Sequence, residues 1–171
     1  MENKEIIKNL NSTDIKIVVK TLEVIAQKGN KHILKQVINL LNPNQEPKII
    51  NSIQNIIENL KEQDCAPVLA ESINNESNEE ILALLVSACW KNGLSYDEYV
   101  ETFVEIFIES EFMLAFEAFT VIDNMENISP NKADSCIIRL NNEIENTKED
   151  KKQLLDELIK TINDKKENPA V

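Results

Sequence analysis

A series of glutamates near the middle of this chain is the strongest candidate for a functional cluster of side chains. Within the segment Tyr96–Glu109 they recur every three or four residues, which gathers them on one face of a helix. The members of this face are Glu98, Glu101, Glu105 and Glu109, with Asp97 at its flank. Like charges at i and i+4 cost an isolated helix about 0.2–0.5 kcal/mol per pair, and the segment contains no lysine to offset them. The pattern therefore predicts a local negative field.

The acidity of the chain is concentrated around this segment. Residues 62–131 carry fifteen acids against a single lysine, whereas residues 1–61 carry nine lysines against six acids and residues 132–171 carry eight bases against nine acids. A surface charged in this way attracts a Lys/Arg-rich segment of a partner protein, mainly through the rate and specificity of association. We predict such a partner. Its contacts are assigned to Glu98, Glu101, Glu105, Glu109 and, on the preceding second helix, Glu71.

Two other interpretations of the acidic face stay open. The carboxylates could simply face water, because exposed charges are screened within about 8 Å at physiological salt. A divalent-cation site is disfavoured, since carboxylates along one helix face do not enclose an ion as a dedicated loop does. We predict no metal site and no cofactor.

The remaining reactive side chains indicate no catalytic centre. Cys65, Cys89 and Cys136 are widely separated and fall on apolar helical positions, which predicts buried free thiols in a reducing compartment. The single histidine, His32, has no cysteine, second histidine or obvious carboxylate beside it in sequence. The sequence therefore predicts a protein that is not an enzyme.

The sequence around these charges predicts helices arranged in a repeat. Four stretches superimpose at steps of about 32 residues, and each contains two runs with apolar residues at i, i+3, i+4 and i+7. Examples of these stripes are Ile17, Val18, Leu22 and Ile25; Tyr99, Val100, Phe103, Val104 and Phe107; and Leu114, Ala115, Ala118, Phe119 and Ile122. With only two glycines and no alternating strand pattern, we predict an all-α fold of about four helical hairpins.

Helix starts and stops agree with this repeat. Gly29 and Gly93 are predicted to end first helices in the left-handed conformation. Two S-x-x-E capping boxes are predicted to start helices, and two prolines are predicted at helix starts. These boxes and prolines are Ser77 with Glu80, Ser95 with Glu98, Pro47, and Pro130 after Ser129.

One aromatic pair lies beside the main stripe of its helix. Phe112 and Phe116 stand four residues apart, next to the stripe that contains Leu114 and Phe119. Most phenylalanines of the chain are expected to fill the core. If Phe112 and Phe116 are exposed, they could anchor a helix of a partner protein beside the acidic surface.

The helix pairs resemble HEAT or HEAT-like repeats. The resemblance is carried by DIKIVVKTLEVIAQKG at Asp14–Gly29 and NEEILALLVSACWKNG at Asn78–Gly93, and it extends over residues 11–145. It implies a right-handed α-α superhelix, second helices lining a concave side, and a role as a scaffold that binds other proteins. Some HEAT-like proteins are DNA glycosylases, so an enzyme or a nucleic-acid-binding protein is the alternative.

Nucleic acid is a disfavoured partner because the chain has a single arginine, Arg139, and an acidic centre. Weak self-association, with the basic N-terminal repeat of one molecule on the acidic middle of another, is a further alternative. We expect one domain over residues 1–162, with terminal helices at Glu2–Leu10 and Lys148–Ile162 as caps and residues 163–171 as a disordered tail. Because no apolar run reaches the length of a membrane span, we expect a cytoplasmic protein with no membrane partner.

Overall fold

The computed structural model describes residues 2–28 and 31–166, and within them all regular elements are helical apart from one isolated bridge between Ile128 and Lys166. The all-α prediction is confirmed. The α-helices are α1 (Asn3–Leu10), α2 (Ile15–Lys28), α3 (Leu34–Ile38), α4 (Pro47–Glu58), α5 (Ala66–Asn74), α6 (Glu79–Asn92), α7 (Val100–Glu109), α8 (Phe112–Asp123), α9 (Pro130–Asn142) and α10 (Glu149–Asp164).

The order of helices reproduces the predicted repeat. Four successive pairs, α2/α3, α4/α5, α6/α7 and α8/α9, are flanked by the terminal helices α1 and α10. Short 3-10 turns at Lys31–Ile33, Gln63–Cys65 and Asp97–Tyr99 lead into α3, α5 and α7. Three of the four second helices therefore begin with the same tighter turn, which the sequence periodicity did not reveal.

Residues 1–94 form the first of two compact units, here called unit 1. Its first helices pack in succession, α2 on α4 and α4 on α6, while α3 packs on α5 and α1 on α2. First helices thus make one layer and second helices the other, as expected for stacked hairpins. The side chains of Leu22, Ile53, Ile57, Leu69 and Leu85 are fully buried between them.

Residues 95–171 form unit 2. Here α7 packs on α8 and α9, and α10 packs on the same two helices, so the four helices close a ring around one core. Helices α7 and α9 make one layer of the unit, and α8 and α10 make the opposite layer. The core of the unit contains Phe103, Phe107, Ile122, Leu140 and Leu155.

A buried lysine joins α10 to the end of α7. The side chain of Lys151 is only 6% exposed, and its amine donates to the backbone carbonyls of Phe107 at 2.6 Å, Ser110 at 2.8 Å and Ile108 at 3.3 Å. The amine also lies 5.0 Å from the ring centre of Phe107. Burial lowers the pKa of Lys151, although Glu111 and Asp150 act in the opposite direction. This cation supplies donors to carbonyls that the end of a helix leaves without partners.

The predicted helix stops and starts have mixed outcomes. Gly93 ends α6 with φ of +71°, so the left-handed stop there is confirmed. Gly29, predicted to stop α2, lies outside the described residues. Pro47 and Pro130 occupy first positions of α4 and α9, as predicted.

Both predicted capping boxes are wrong. Helix α6 is capped by Asn78, whose side-chain oxygen accepts from the N–H of Ile81 at 3.1 Å, rather than by Ser77. Glu76 explains the shift, because its carboxylate accepts the backbone N–H groups of Ser77 and Asn78 at 2.8 and 2.7 Å. At the second predicted box, the 3-10 turn that leads into α7 begins after Tyr96 rather than after Ser95, and the Ser95 hydroxyl accepts the backbone N–H of Asp97 at 3.5 Å.

The apolar stripes are largely buried, with three deviations. Ile17 is 42% exposed, and Tyr99 and Phe119 are only partly buried. Tyr96 is buried instead of Tyr99 and packs edge-on against Phe103, with ring centres 5.9 Å apart. The 3-10 turn between Tyr96 and α7 has about three residues per turn, so a wheel drawn with the α-helical period misplaces the tyrosines.

The C-terminal helix is longer than predicted. Helix α10 extends to Asp164. Beyond it, the backbone carbonyl of Lys165 accepts from the N–H of Ile128 at 2.9 Å, and Lys166 forms an ion pair with Asp134 at 2.6 Å. Residues 167–171, the rest of the predicted tail, lie outside the described residues, and the single-domain organisation stays a prediction.

Candidate functional site

The predicted acidic face lies on the outer side of α7 in unit 2. Phe103, Val104 and Phe107 are buried in the core, which turns the intervening glutamates outward. Glu101 and Glu109 are exposed and Glu105 is half-exposed, while Glu98 lies on the 3-10 turn before the helix. We call these four side chains the acidic face.

Glu98 is held by a lysine of the next repeat. The amine of Lys132 on α9 donates to the carboxylate of Glu98 at 2.7 Å and to its backbone carbonyl at 2.6 Å. The hydrogen bond from Lys132, and then its charge, lowers the pKa of Glu98. The Glu98 side chain nevertheless remains 81% exposed, so its carboxylate is both oriented and accessible.

Glu105 is held in the same way by the single arginine of the chain. Arg139 on α9 donates to the carboxylate of Glu105, and this hydrogen bond lowers the pKa of Glu105 and raises that of Arg139. The negative charge of Glu109 also raises the pKa of Arg139. Arg139 therefore pairs with Glu105, and Glu109 adds a second negative charge to the surroundings of this pair.

The negative charge of Glu101 acts on a buried thiol of α9, that of Cys136. Burial raises the pKa of Cys136 to about 11, and the negative charge of Glu101 adds to this effect. The thiol therefore stays protonated and unreactive at neutral pH. Cys65, Cys89 and Cys136 are all buried and none forms a disulfide, which confirms that they are buried thiols, while the reducing compartment stays a prediction.

Glu71, the fifth predicted contact residue, has a different partner. It lies on α5 in unit 1, where its carboxylate pairs with the amine of Lys35 at 2.7 Å. Both side chains of this pair are more than half exposed. The structure thus brings four of the five predicted contact residues onto one surface and assigns the fifth to the other compact unit.

Sequence reasoning missed the cations that face these carboxylates. Lys132 and Arg139 each lie 34 residues after their partners, close to the repeat length, and Lys91 lies 33 residues after its partner Glu58. In the sequence, Lys132 and Arg139 fall just beyond the acidic segment 62–131. A search for opposite charges one repeat apart would have found them.

A second surface of unit 2 is an aromatic groove between α8 and α10. Phe112, Met113 and Phe116 are 36%, 72% and 46% exposed, which meets the condition set for the phenylalanine pair. The ring of Phe116 stacks on both Phe112 and Phe119, with 6.3 Å between ring centres in each case. The groove has a volume of about 430 Å³, and its lining residues are Phe112, Phe116, Phe119, Asp150, Gln153, Leu154 and Glu157.

The described residues contain no group of three or more His, Cys, Asp or Glu side chains placed to hold a metal ion. Over the same residues, none of the helices combines the length and the apolar character of a membrane span.

Comparison with known proteins gives no family. No protein-family model matches the chain, and no curated protein matches it. Among solved structures, an engineered protein aligns with 13% identity and a TM-score of 0.41, covering 98% of this chain and 100% of its own. A designed armadillo repeat protein aligns with 12% identity and a TM-score of 0.37, and the alignment covers 95% of this chain and 100% of the designed protein. These values are too low to carry an argument, so the helical-repeat architecture rests on the packing within each unit.

Proposed function

We propose that this protein is a non-enzymatic interaction scaffold that binds a Lys/Arg-rich segment of a partner protein on the acidic face of α7. One observation supports the proposal above all. Among the described residues, the four carboxylates of the face form ion pairs with two cations, Lys132 at Glu98 and Arg139 at Glu105, so an excess of negative charge stays exposed at Glu101 and Glu109. Partner cations would be attracted to this excess.

The two ion pairs give the carboxylates different roles in the proposed contact. Lys132 and Arg139 hold Glu98 and Glu105 in place, so these two side chains lose less conformational entropy when a partner binds. Glu101 and Glu109 are exposed and carry the excess charge, so we assign them the main contacts. Glu71 is left out of this surface because it belongs to unit 1 and is matched by Lys35.

A fluorescein-labelled decalysine peptide is a suitable probe, because it presents positive charge without any apolar side chain other than the lysine stems. The test compares its anisotropy with wild type, Glu101→Gln/Glu109→Gln, and the control Glu46→Gln/Glu62→Gln, which removes two exposed charges from unit 1. A pair of charges about 6 Å apart in water is worth about 0.7 kcal/mol, or roughly threefold in affinity. We expect the α7 variant to bind about tenfold more weakly at low salt.

The control decides how this result is interpreted. Binding by Glu46→Gln/Glu62→Gln within twofold of wild type supports a local site on α7. Equal losses in both double variants, or no loss in the α7 variant, would remove the acidic face from the proposed function.

The same proposal holds that the protein acts in the cytoplasm without catalysis and without binding nucleic acid. The exclusion of nucleic acid is supported by the presence of one arginine in the whole chain and by the acidic surroundings of that arginine. Retardation of duplex DNA in a low-salt electrophoretic assay would overturn this part of the proposal.

A further inference from the structure

The aromatic groove of unit 2 is distinct from the acidic face. It lies between α8 and α10, the layer opposite to α7 and α9. Phe112, Phe116 and Phe119 stack in series along about two turns of α8, and the first two rings are 36% and 46% exposed. Adjacent exposed aromatic side chains of this kind are typical of interaction sites, whereas single exposed aliphatic residues need no explanation.

The two walls of the groove differ in character. The α8 wall consists of three phenylalanine rings, and the α10 wall adds Leu154 together with Asp150, Gln153 and Glu157. Among the described residues, no cation lines the groove. Glu157 is paired with Lys160 of the same helix at 3.6 Å, but both side chains are more than half exposed, so a cation of the occupant can compete for this carboxylate. Asp150 and Glu157 are seven residues apart on α10, which corresponds to about 10 Å along the helix. An apolar wall of the same length, from Phe112 to Phe119, lies opposite.

These walls select an occupant that is apolar on one side and basic on the other. Apolar side chains of the occupant would cover the phenylalanine rings, and lysine or arginine side chains would approach Asp150 and Glu157. A guanidinium or ammonium group is also attracted to the face of an aromatic ring. A length of two helical turns matches a short amphipathic helix with apolar residues at i, i+3 or i+4, and i+7.

We propose that the aromatic groove binds a short, basic, amphipathic helix of a partner protein. This inference goes beyond the acidic face, since it uses the opposite layer of unit 2 and requires apolar contacts as well as charge. A second copy of this chain is a poorer occupant, because self-association brings together two molecules of net charge −12. An anionic membrane surface is disfavoured for the same reason.

The experiment uses the full chain and two synthetic helical peptides with identical leucines. In the basic peptide the polar positions are lysine and arginine, and in its twin they are glutamate. Titration calorimetry with wild type is expected to give weak, roughly micromolar or weaker, binding of the basic peptide, because so small a groove buries little area. Binding of the acidic twin should be at least tenfold weaker.

Two matched variants test the apolar wall. Phe116→Gln removes the central ring, which is 46% exposed and therefore dispensable for the core, and Ile138→Gln removes an apolar side chain that is 63% exposed on α9 in the opposite layer. We expect Phe116→Gln to weaken binding of the basic peptide at least fivefold and Ile138→Gln to leave its affinity unchanged. Equal effects of the two variants would overturn the proposal.

A second pair of variants tests the acidic wall and separates the two surfaces. Asp150→Asn/Glu157→Gln is expected to weaken binding of the basic peptide three- to tenfold. Glu101→Gln/Glu109→Gln should bind this peptide with an affinity within twofold of wild type. A loss confined to Glu101→Gln/Glu109→Gln would place the peptide on α7 and refute the groove.

Sedimentation of the free protein and vesicle flotation address the other occupants. We expect a monomer at about 10 and 100 µM and no flotation with vesicles of neutral or anionic lipid. A dimer that Phe116→Gln dissociates, or flotation that the same variant abolishes, would replace the partner helix by a second copy or by lipid.

Discussion

Replacing Lys151 by methionine tests whether a buried cation joins α10 to the end of α7. Methionine preserves most of the length and apolar volume of the lysine stem but removes every donor. The amine of Lys151 is within 2.8 Å of the carbonyl oxygens of Phe107 and Ser110. Both carbonyl groups therefore lose this hydrogen-bond donor in Lys151→Met. The perturbation therefore acts on α7 through a residue of α10.

The magnitude follows from the two short hydrogen bonds. A hydrogen bond from a charged donor contributes about 1.5–3 kcal/mol, and a buried acceptor left without a partner costs about 1–3 kcal/mol. Removing the partly desolvated ammonium group recovers some of this cost, as its lowered pKa indicates. We expect Lys151→Met to lower the free energy of unfolding by about 2–4 kcal/mol.

Urea unfolding followed by far-ultraviolet circular dichroism measures this change. The neighbouring Lys152→Met is the control, because Lys152 is 46% exposed and pairs with Glu149 three residues away, an arrangement worth about 0.5 kcal/mol or less. Hydrogen exchange of native protein should show faster exchange at the end of α7 in Lys151→Met only. Equal destabilisation by the two variants would refute the role given to Lys151.

Three further predictions concern ion pairing and helix ends. Arg139 lowers the pKa of Glu105, so the pair stabilises the folded state above the ordinary glutamate pKa of about 4.3 and is lost as the pH falls through the lower folded value. Urea unfolding from pH 6 to 3 should therefore show the gap between wild type and Glu105→Gln closing in acid; a gap independent of pH would contradict this. Gly93→Ala should cost about 1–2 kcal/mol in thermal or urea unfolding, since φ is +71° and open space surrounds the added methyl group, so only backbone strain opposes it. Asn78→Ala should cost about 1 kcal/mol in the same assay and Ser77→Ala much less, and the reverse order would restore Ser77 as the cap of α6.

Periodicity alone was sufficient to predict the helices and the outward position of the acidic face. Glu101, Glu105 and Glu109 follow the α-helical period, and the buried residues between them fix their direction. The prediction fails where the backbone is not α-helical. At the 3-10 turn before α7, the pattern predicts that Tyr99 is buried, but Tyr96 is buried in its place. Local pattern therefore predicts a side chain's direction only as far as the assumed helix type holds.

The counter-charges could not be predicted from local pattern. Lys132 and Arg139 meet their glutamates only because α9 packs beside α7, and that register is a tertiary property. Lys151 gives an even weaker signal, because it precedes Lys152 in a charged segment and resembles any solvated lysine. Its burial depends on where α10 meets the last carbonyl groups of α7.

The ion pairs that link successive repeats have a consequence for how such a chain can change in length. A charged residue of one repeat pairs with an opposite charge about one repeat later in the sequence. Glu58 pairs with Lys91 in this way, and Glu105 pairs with Arg139. Excising or duplicating a whole repeat preserves this matching only if the new neighbours carry opposite signs at the corresponding positions. Insertion of a single residue within α9, between Pro130 and Arg139, would rotate Arg139 by about 100° around the helix axis relative to the start of α9 and separate it from Glu105. These ion pairs therefore favour the insertion or deletion of whole repeats over that of single residues.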